Sequence, residues 1–451
     1  MNFSKETFRS YDVRGIYETE ITNELAYLLG QAFGTKVKSV IVVGHDARFS
    51  SNALNTNLIK GIISTGCNVI DTGLVTTPML YFAREKLNIP HSIMITASHC
   101  SKEFNGFKLN DEEGSMYGEK IQNVLKDIES GNFNSGVGTL KVIDIKDDYV
   151  NLMKDKIKLG NRSLKVVIDC GNGTTSIINP DIIERLGINV IKLNCDNDPN
   201  YPNHIPDPAV ESNMIQLQKK VKKTKADLGI AFDGDGDRIG IVDEKGNLVK
   251  TDMFMLIIWK GIINTAKNKN ASFDIKCSKA LKEGLENLGL TTHFRRSGHS
   301  YLKKDIKENG YDFAGEFSGH VCFADEFYGY DDALYAAGRL LRILSNTNLN
   351  VSDYFIDTPK YVTSPETYIK VKEEEKEQIV DAIKKYALSK KYEIITIDGV
   401  RIEYDDGFAL VRASNTSSSI TVRFEGKTKK IMKKYEKEIM DIIKNTIIQA
   451  K

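Results

Sequence analysis

The chain has 451 residues, 41% of them hydrophobic, with 62 Lys and Arg against 61 Asp and Glu. At roughly 150 residues per domain, this length predicts about three domains, and the hydrophobic share excludes global disorder. A net charge of +1 argues against nucleic acid or an anionic membrane as the main partner. We find neither a membrane-spanning apolar run nor an apolar signal core. Six cysteines without paired spacing predict free thiols in a reducing cytoplasm.

Strands and helices alternate along most of the chain, which predicts α/β layers. A second unit begins near Asp148 and a third near Leu248. The predicted strands are 40–43, 92–95, 165–169, 189–193, 228–232, 239–242 and 273–276. The predicted helices are 52–63, 180–186, 252–263 and one that starts at Tyr301.

The last part of the chain has a different pattern, with strands in series between two helices. This order is typical of an α+β domain. The predicted strands are 367–371, 393–397, 399–404, 407–412 and 420–424, and the helices are 374–386 and 429–450.

Three aspartates, Asp233, Asp235 and Asp237, alternate with glycines between two predicted strands. Carboxylates at this spacing can surround one hard cation such as Mg²⁺ or Ca²⁺, and glycine allows the backbone to turn them inward. An EF-hand is rejected because Arg238 stands where its loop needs glycine and because the flanks are strands. The segment therefore predicts a strand–loop–strand metal site.

Ser98 follows the apolar strand 92–95 and precedes His99, in a loop that could carry a nucleophile. Taken alone, an ordinary polar turn explains the pair better. Downstream, Lys108 offers a cation for a phosphate or for proton transfer.

Three further loops have polar compositions that suit ligand binding. Ser297 and Gly298 precede a helix start, which favours anions. The segment 315–320 offers Glu, Ser and His for sugar hydroxyls, although each loop alone is better explained as a turn. The segment 412–419 pairs an Arg with hydroxyl and amide donors suited to a phosphate. Gly171-Asn172-Gly173 only weakly matches a dinucleotide fingerprint, and we interpret it as a turn that ends a strand.

In this order, and preceded by the segment 8–15 (Phe-Arg-Ser-Tyr-Asp-Val-Arg-Gly), these motifs resemble the α-D-phosphohexomutase family. The nearest branch is the bacterial phosphomannomutase/phosphoglucomutase group. The resemblance implies three similar mixed-sheet α/β domains and a smaller C-terminal α+β domain around a central cleft. We place the domains at 1–146, 147–247, 248–360 and 361–451, with the serine, metal, sugar and phosphate loops respectively.

The resemblance also implies a role for each matching residue. Ser98 would carry a phosphate, and Mg²⁺ would be held by that residue with Asp233, Asp235 and Asp237. Residues near the reacting groups would be Arg14, Lys108, Arg238, Lys276 and His299, with Lys108 and His299 as candidates for acid/base work. Sugar and phosphate would be bound by Ser297, Gly298, Glu316, Ser318, His320, Arg412, Ser414, Asn415 and Thr416.

The implied reaction interconverts hexose 1-phosphate and hexose 6-phosphate of mannose or glucose. Phosphorylated Ser98 gives its phosphoryl group to the sugar, and a hexose 1,6-bisphosphate forms as intermediate and activator. That intermediate must turn over in the cleft before Ser98 recovers a phosphate. The sequence leaves open whether the protein is a monomer or a homodimer.

Two departures from the family pattern leave alternatives open. Cys100-Ser101 replaces an Asn-Pro pair after Ser98-His99, and the segment 417–419 lacks a proline that is usual near Ser418. Both put loop rigidity in doubt, so a sugar-phosphate binding protein with little catalysis remains an alternative, and so does phosphoglucosamine mutase. Phe317 and Asn415 match the glucose/mannose branch better. A Ca²⁺-binding module is disfavoured by Arg238.

Overall fold

A computed structural model of the chain describes residues 3–414 and 418–449. The helices in these residues are Asn23–Val37, Ser51–Ile63, Thr77–Leu87, Glu119–Ser130, Lys146–Lys156, Asn179–Arg185, Ile215–Thr224, Thr251–Ile262, Lys279–Asn287, His299–Asn309, Ala333–Ser345, Glu373–Ser389 and Lys429–Gln449, numbered α1 to α13 in that order. The strands are Val13–Ile16, Val40–His45, Asn68–Leu74, Ser92–Ile95, Phe104–Asp111, Gly114–Ser115, Leu140–Val142, Lys165–Asp169, Asn189–Leu193, Leu228–Phe232, Ile239–Val242, Leu248–Val249, Asn270–Asp274, Thr291–Arg295, Phe313–Gly315, Val321–Phe323, Val362–Thr363, Thr367–Lys370, Glu393–Ile395, Val400–Tyr404, Gly407–Ala413 and Ser419–Gly426, numbered β1 to β22.

The first sheet is mixed and has seven strands in the order β1-β5-β4-β2-β3-β7, with β6 on β5. Strand β2 runs parallel to β3 and β4, whereas β5 runs antiparallel to β4 and β1. Strand β4 therefore lies inside the sheet, and all of its side chains are buried. The loop that carries Ser98 follows directly from this rigid strand.

The second and third sheets are also mixed. The second has the order β12-β11-β10-β8-β9, and the third has the order β14-β13-β15-β16. In the second sheet β8 runs parallel to β9 and β10, and β11 turns back antiparallel to β10. The β10–β11 connection is the aspartate loop, so its two ends are fixed by paired and fully buried strands.

The fourth sheet contains β17-β22-β21-β20-β19, with β18 also paired to β22, and each recorded pairing in the described residues is antiparallel. Helices α12 and α13 pack on it through Ile379, Ile383, Ile439 and Ile443, which are buried with the apolar side of the sheet. This small separate core is the α+β arrangement that strands in series predicted.

One continuous hydrophobic core extends through the first three sheets. It runs from Met79 on α3 through Ile168 on β8 and Phe254 on α8 to Tyr335 on α11. The hydroxyl of Tyr149 on α5 also donates to Asp332 across 2.7 Å, and Asp332 caps the start of α11 by accepting the amide of Tyr335 at 2.9 Å. Shared core packing of this kind fixes the relative positions of loops from different sheets.

The predicted elements agree with the structure except at their ends and in one strand. The strand expected at 273–276 is wrong in position, since β13 ends at Asp274. The amide of Cys277 donates to the carbonyl of Asp274 at 3.1 Å, and this turn puts Lys276 in a loop. The helix expected from Tyr301 begins at His299. Among the described residues, none of the helices is long and apolar enough to cross a membrane.

Candidate active site

Ser98 lies in the loop between β4 and β5 with its backbone in the left-handed region, at φ = 51°. A non-glycine residue in this region is strained and persists only where its surroundings hold it. Its amide donates to the Thr96 hydroxyl at 2.8 Å, and its own hydroxyl donates to Asp233 Oδ2 at 2.7 Å. The structure thus brings together Ser98 and the aspartate loop, which belong to different sheets.

The aspartate loop is organised by Asp233. Its Oδ1 accepts the amides of Gly236, Asp237 and Arg238 at 3.0 to 3.1 Å, which closes a tight turn. The three aspartates predicted to bind the metal are buried, and one oxygen from each lies within 4.8 Å of the others. Gly236, at φ = 85°, supplies a conformation that a side chain would strain.

This cluster fits a hard divalent cation. Carboxylate oxygens are the ligands that Mg²⁺ prefers, and the buried Oδ1 atoms of Asp235 and Asp237 have no hydrogen-bond partner in the described residues. Buried charged oxygens without partners are costly. Burial and the neighbouring carboxylates raise the pKa of Asp233 well above its usual range, which reflects the same uncompensated repulsion.

Lys108, on β5, reaches into this cluster. Its ammonium donates to Asp235 at 2.7 Å and to Asp237 at 2.5 Å. Burial alone would lower the pKa of Lys108, but the carboxylates of Asp235 and Asp237 outweigh it and raise that pKa well above its ordinary value. Lys108 is therefore protonated at neutral pH and places a positive charge beside the aspartate loop.

Arg238 leaves the aspartate loop toward the third sheet. Its Nε donates to His320 Nε2 at 2.9 Å, so the ring proton of a neutral His320 belongs on Nδ1. That atom lies 2.9 Å from Asp331 Oδ2. The His320 ring stacks on His299, with centroids 5.0 Å apart and planes at 18°. The two histidines thus form one layer between Arg238 and Asp331.

His299 is the first residue of α10 and lies beside Lys303, one turn further along that helix. Lys303 Nζ is 3.0 Å from His299 Nδ1 and 2.9 Å from Asp331 Oδ1. Burial and the charge of Lys303 lower the pKa of His299 to about 4, although Asp331 opposes this. His299 is consequently a neutral imidazole at neutral pH. Because an ammonium can only donate, His299 Nδ1 accepts from Lys303 and the ring proton belongs on Nε2.

The sugar loop between β15 and β16 faces the start of α10. Glu316 accepts the amide of Gly298 at 2.5 Å and the hydroxyl of Ser318 at 3.1 Å. Gly298 has φ = 135°, and a Cβ there would lie 2.8 Å from the Tyr11 ring. Ser297 donates from its hydroxyl to Asp274 at 3.0 Å. Residues of these two loops are therefore in direct contact.

Lys276 and Arg412 provide positive charge at the contact between the third and fourth sheets. Lys276 Nζ lies 3.5 Å from Glu366 and 3.8 Å from Asp274. Burial opposes the charge of Lys276, but these carboxylates prevail and raise its pKa. Arg412, on β21, contacts Asp398 through Nε at 3.1 Å and Nη2 at 2.9 Å.

Ser414 is held through its backbone, Arg14 through its side chain, and two further predicted residues lie outside the described part. Ser414 donates its amide to Ser419 at 2.9 Å, and its carbonyl accepts Lys376 at 2.9 Å. Arg14, on β1, contacts Asp12 and donates to the Cys100 sulfur at 3.3 Å. Asn415 and Thr416 lie outside the described residues.

Sequence reasoning missed several residues that shape the site. Asp331 and Lys303 orient the histidines, Asp398 orients Arg412, and Tyr11 donates its hydroxyl to the Ser297 carbonyl at 3.0 Å. Arg48 binds the loop that carries Ser98. Only Tyr11 lay in a segment already singled out, and Asp398 precedes a glycine turn, which is a weak signal.

The chain matches four family models in order. They are phosphoglucomutase/phosphomannomutase alpha/beta/alpha domains I, II and III, at residues 5–135, 147–246 and 250–361, and the C-terminal domain of the same family, at 366–442. The fold and the order of its sites therefore define a four-domain enzyme of the phosphohexomutase class.

Individual relatives agree with this class. A phosphomannomutase/phosphoglucomutase of Pseudomonas syringae pv. tomato is 40% identical, covering 93% of this chain and 91% of the relative. A phosphoglucomutase of Neisseria meningitidis serogroup A is 35% identical over 98% of each. The crystal structure of a phosphoglucomutase/phosphomannomutase family protein from Burkholderia thailandensis matches with a TM-score of 0.91 at 33% identity, covering 98% of both chains. The chain belongs to the phosphoglucomutase/phosphomannomutase family, within the α-D-phosphohexomutases.

Proposed function

We propose that this enzyme interconverts the 1-phosphate and 6-phosphate of mannose, glucose or both, through a phosphoserine at Ser98 and a bisphosphorylated sugar. The observation that carries the proposal is the contact of the Ser98 hydroxyl with Asp233 in a buried cluster of carboxylates. A strained serine beside several buried carboxylates does not by itself stabilise the fold. With a cation and a phosphoryl group between them, the same arrangement supports transfer.

The residues that would hold the cation are Asp233, Asp235 and Asp237, together with an oxygen of phosphorylated Ser98. We propose Mg²⁺, which when bound would offset phosphate charge and polarise the phosphoryl group. Lys108 adds a fixed positive charge next to the same carboxylates. We also propose hexose 1,6-bisphosphate as the activator, because it can phosphorylate Ser98 and leave as a monophosphate.

The attacking sugar hydroxyl must lose a proton as its bond to phosphorus forms. Of the two predicted acid/base residues, protonated Lys108 suits donation or charge stabilisation, and His299 can take up a proton only at Nδ1, once that atom is released from the Lys303 ammonium. Arg14 and Arg238 supply further positive charge around the reacting phosphate. Since the bisphosphate must react at either end, each role reverses in the second half of the cycle.

The non-reacting part of the substrate would be held on the other side of the cleft. Glu316 and Ser318 offer an acceptor and a donor for sugar hydroxyls, and Lys276 and Ser297 lie beside them. We also propose that His320 contacts the sugar, although its ring nitrogens face Arg238 and Asp331 in this structure. Arg412 and Ser414, with Asn415 and Thr416, would bind the non-reacting phosphate. A clamp on a separate domain allows the cleft to open while the intermediate turns over. The domain limits given above remain our prediction.

A coupled assay with glucose 1-phosphate, mannose 1-phosphate and glucosamine 1-phosphate tests the proposal. We expect Mg²⁺-dependent turnover of glucose or mannose phosphate that is stimulated by hexose 1,6-bisphosphate. Intact mass should show one phosphate, lost on adding substrate and absent from Ser98→Ala. Preference for glucosamine 1-phosphate would instead identify the protein as a phosphoglucosamine mutase. Binding without turnover in phosphorylated, Mg²⁺-loaded protein would leave a sugar-phosphate binding protein.

We further propose a cytoplasmic location, based on six free cysteines, and either a monomer or a homodimer. Free thiols persist in a reducing compartment. Sedimentation of the full chain would decide between the two assembly states.

A further inference from the structure

Two cysteines that play no part in the proposed reaction lie side by side in the second sheet. Cys170 follows β8 directly, and Cys195 follows β9. The two strands are parallel neighbours, so these residues leave the sheet at the same edge. Their sulfur atoms are 3.4 Å apart. In the sequence 24 residues lie between the two cysteines, and no local motif links them.

The two thiols differ in exposure and acidity. Cys170 is fully buried, whereas Cys195 is partly exposed. The hydrogen bond between the two sulfurs lowers the pKa of the Cys195 thiol, and burial raises that of Cys170 well above its usual value. A thiolate is the reactive form of cysteine. Cys195 is thus the sulfur that an oxidant reaches first, with Cys170 positioned to attack it.

The backbone after Cys170 lies against the aspartate loop. The amide of Thr174 donates to the Gly234 carbonyl at 2.9 Å. A Cβ at Gly173 would lie 2.9 Å from the Gly234 Cα, so the two segments leave no room for a side chain between them. The Gly173 amide also donates to the Cys170 carbonyl at 2.9 Å. A shift of Cys170 is therefore transmitted to the residue between Asp233 and Asp235.

We propose that Cys170 and Cys195 are a redox modification site, at which a hydroperoxide forms a reversible disulfide that displaces the aspartate loop. Cys195 thiolate attacks the peroxide, its sulfur is oxidised to a sulfenic acid, and the O–O bond breaks to release water or an alcohol after protonation. The Cys170 thiol then attacks that sulfur, forming the S–S bond and releasing water. A dithiol reverses the change by thiol–disulfide exchange.

We expect the aspartate loop to be displaced because the disulfide bond is shorter than the present distance between the two sulfurs. The sulfurs must close from 3.4 Å to ~2.05 Å, the length of a disulfide bond. Close-packed loops with no space between them transmit such a shift rather than absorb it. The disulfide form should therefore bind Mg²⁺ several-fold more weakly than the reduced form.

The covalent step is tested on the purified full chain with an equimolar amount of hydrogen peroxide. We expect a mass lower by two hydrogen atoms, four of the original six thiols still titratable, and a linked Cys170–Cys195 peptide that dithiothreitol removes. Cys195→Ser should abolish this peptide. Cys67→Ser, which removes a buried thiol that donates to the backbone carbonyls of Ser39 and Asn68, should retain it. Oxidation elsewhere, with no linked peptide, would overturn the site.

The coupling is tested separately by calorimetric titration of Mg²⁺ into reduced and oxidised protein. Weaker binding in the oxidised wild type, restored by dithiothreitol and absent in peroxide-treated Cys195→Ser, supports the displacement. Equal affinity of both forms would refute it. Because peptide mapping and metal titration require no turnover, failure of the mutase assay would not produce either result.

Discussion

Arg48 is expected to hold the Ser98 loop in its strained conformation. The residue is 4% exposed, and its Nε donates to Asp46 at 3.1 Å. Its two terminal nitrogens donate to four carbonyls of the loop, at 2.8 to 3.0 Å: those of Ser98, Cys100, Ser101 and Phe104. The planar guanidinium alone has enough donors in a fixed geometry for this set.

The substitution Arg48→Met removes these donors but keeps an apolar stem. Each hydrogen bond to a charged group contributes about 1.5–3 kcal/mol. Water can enter and replace part of this, while Asp46 is left buried without its partner, so we expect a loss of about 3–5 kcal/mol in the free energy of unfolding. Left-handed Ser98 costs about 1–3 kcal/mol, and without Arg48 the loop can relax to an unstrained conformation.

Urea denaturation measures the loss of stability. The rate of phosphoryl transfer from phosphorylated Ser98 reports whether the loop keeps its conformation. We expect transfer to slow more than substrate binding weakens. Arg48→Lys should give an intermediate loss, since one ammonium cannot contact all the carbonyls. The control Arg185→Met removes a half-exposed pair with Asp181 and should cost at most about 1 kcal/mol. If Arg48→Met costs no more than this control and transfers phosphate at the wild-type rate, Arg48 does not hold the loop.

Three further predictions concern the metal, the histidine layer and the phosphate clamp. Asp235→Asn should weaken Mg²⁺ binding in calorimetry by at least about tenfold, because it removes a ligand charge; unchanged affinity would contradict the site. The pKa of His299 is about 4 in the folded protein and about 6.5 in the unfolded chain. Between these pH values His299 is protonated only in the unfolded state, which favours unfolding. Stability is then full above the higher of these values and falls between pH 6.5 and 4, and His299→Gln should flatten the urea-measured decline; parallel profiles would refute this. Asp398→Asn should raise KM several-fold at similar kcat, since Asp398 orients Arg412 and accepts the Ser297 amide; a lowered KM in the coupled assay would refute it.

The order of motifs along the chain predicted the fold and the contact between Ser98 and the aspartate loop. Strand endings explain this success, because both loops follow buried strands whose apolar pattern is clear. The turn at Lys276 was harder to predict, since Ile275 is apolar and buried although it lies beyond the last ladder pair of β13. Burial against Phe408 and Leu410 of the fourth sheet supplies an apolar signal that resembles a strand.

Residues that orient the site residues through contacts distant in the sequence could not be predicted from the local sequence pattern. Asp398 and Asp331 contact groups far away in the chain, and a single aspartate beside a glycine or another aspartate is common in turns. Their roles depend on which strands are adjacent. A tertiary arrangement of sheets is needed before a charge such as Lys303 can be placed beside His299.

The two loop departures bear on whether the site is catalytic or only binding. The segment with Ser417 lies outside the described residues, so the argument rests on Cys100-Ser101. A proline there would stiffen the loop through one fixed φ angle. In this chain Arg48 instead holds the carbonyls of both residues, and Arg14 contacts the Cys100 sulfur. Side chains from β1 and from the β2–α2 connection thus provide the rigidity that the local sequence lacks, and this favours a catalytic Ser98 over a binding protein with a loose loop.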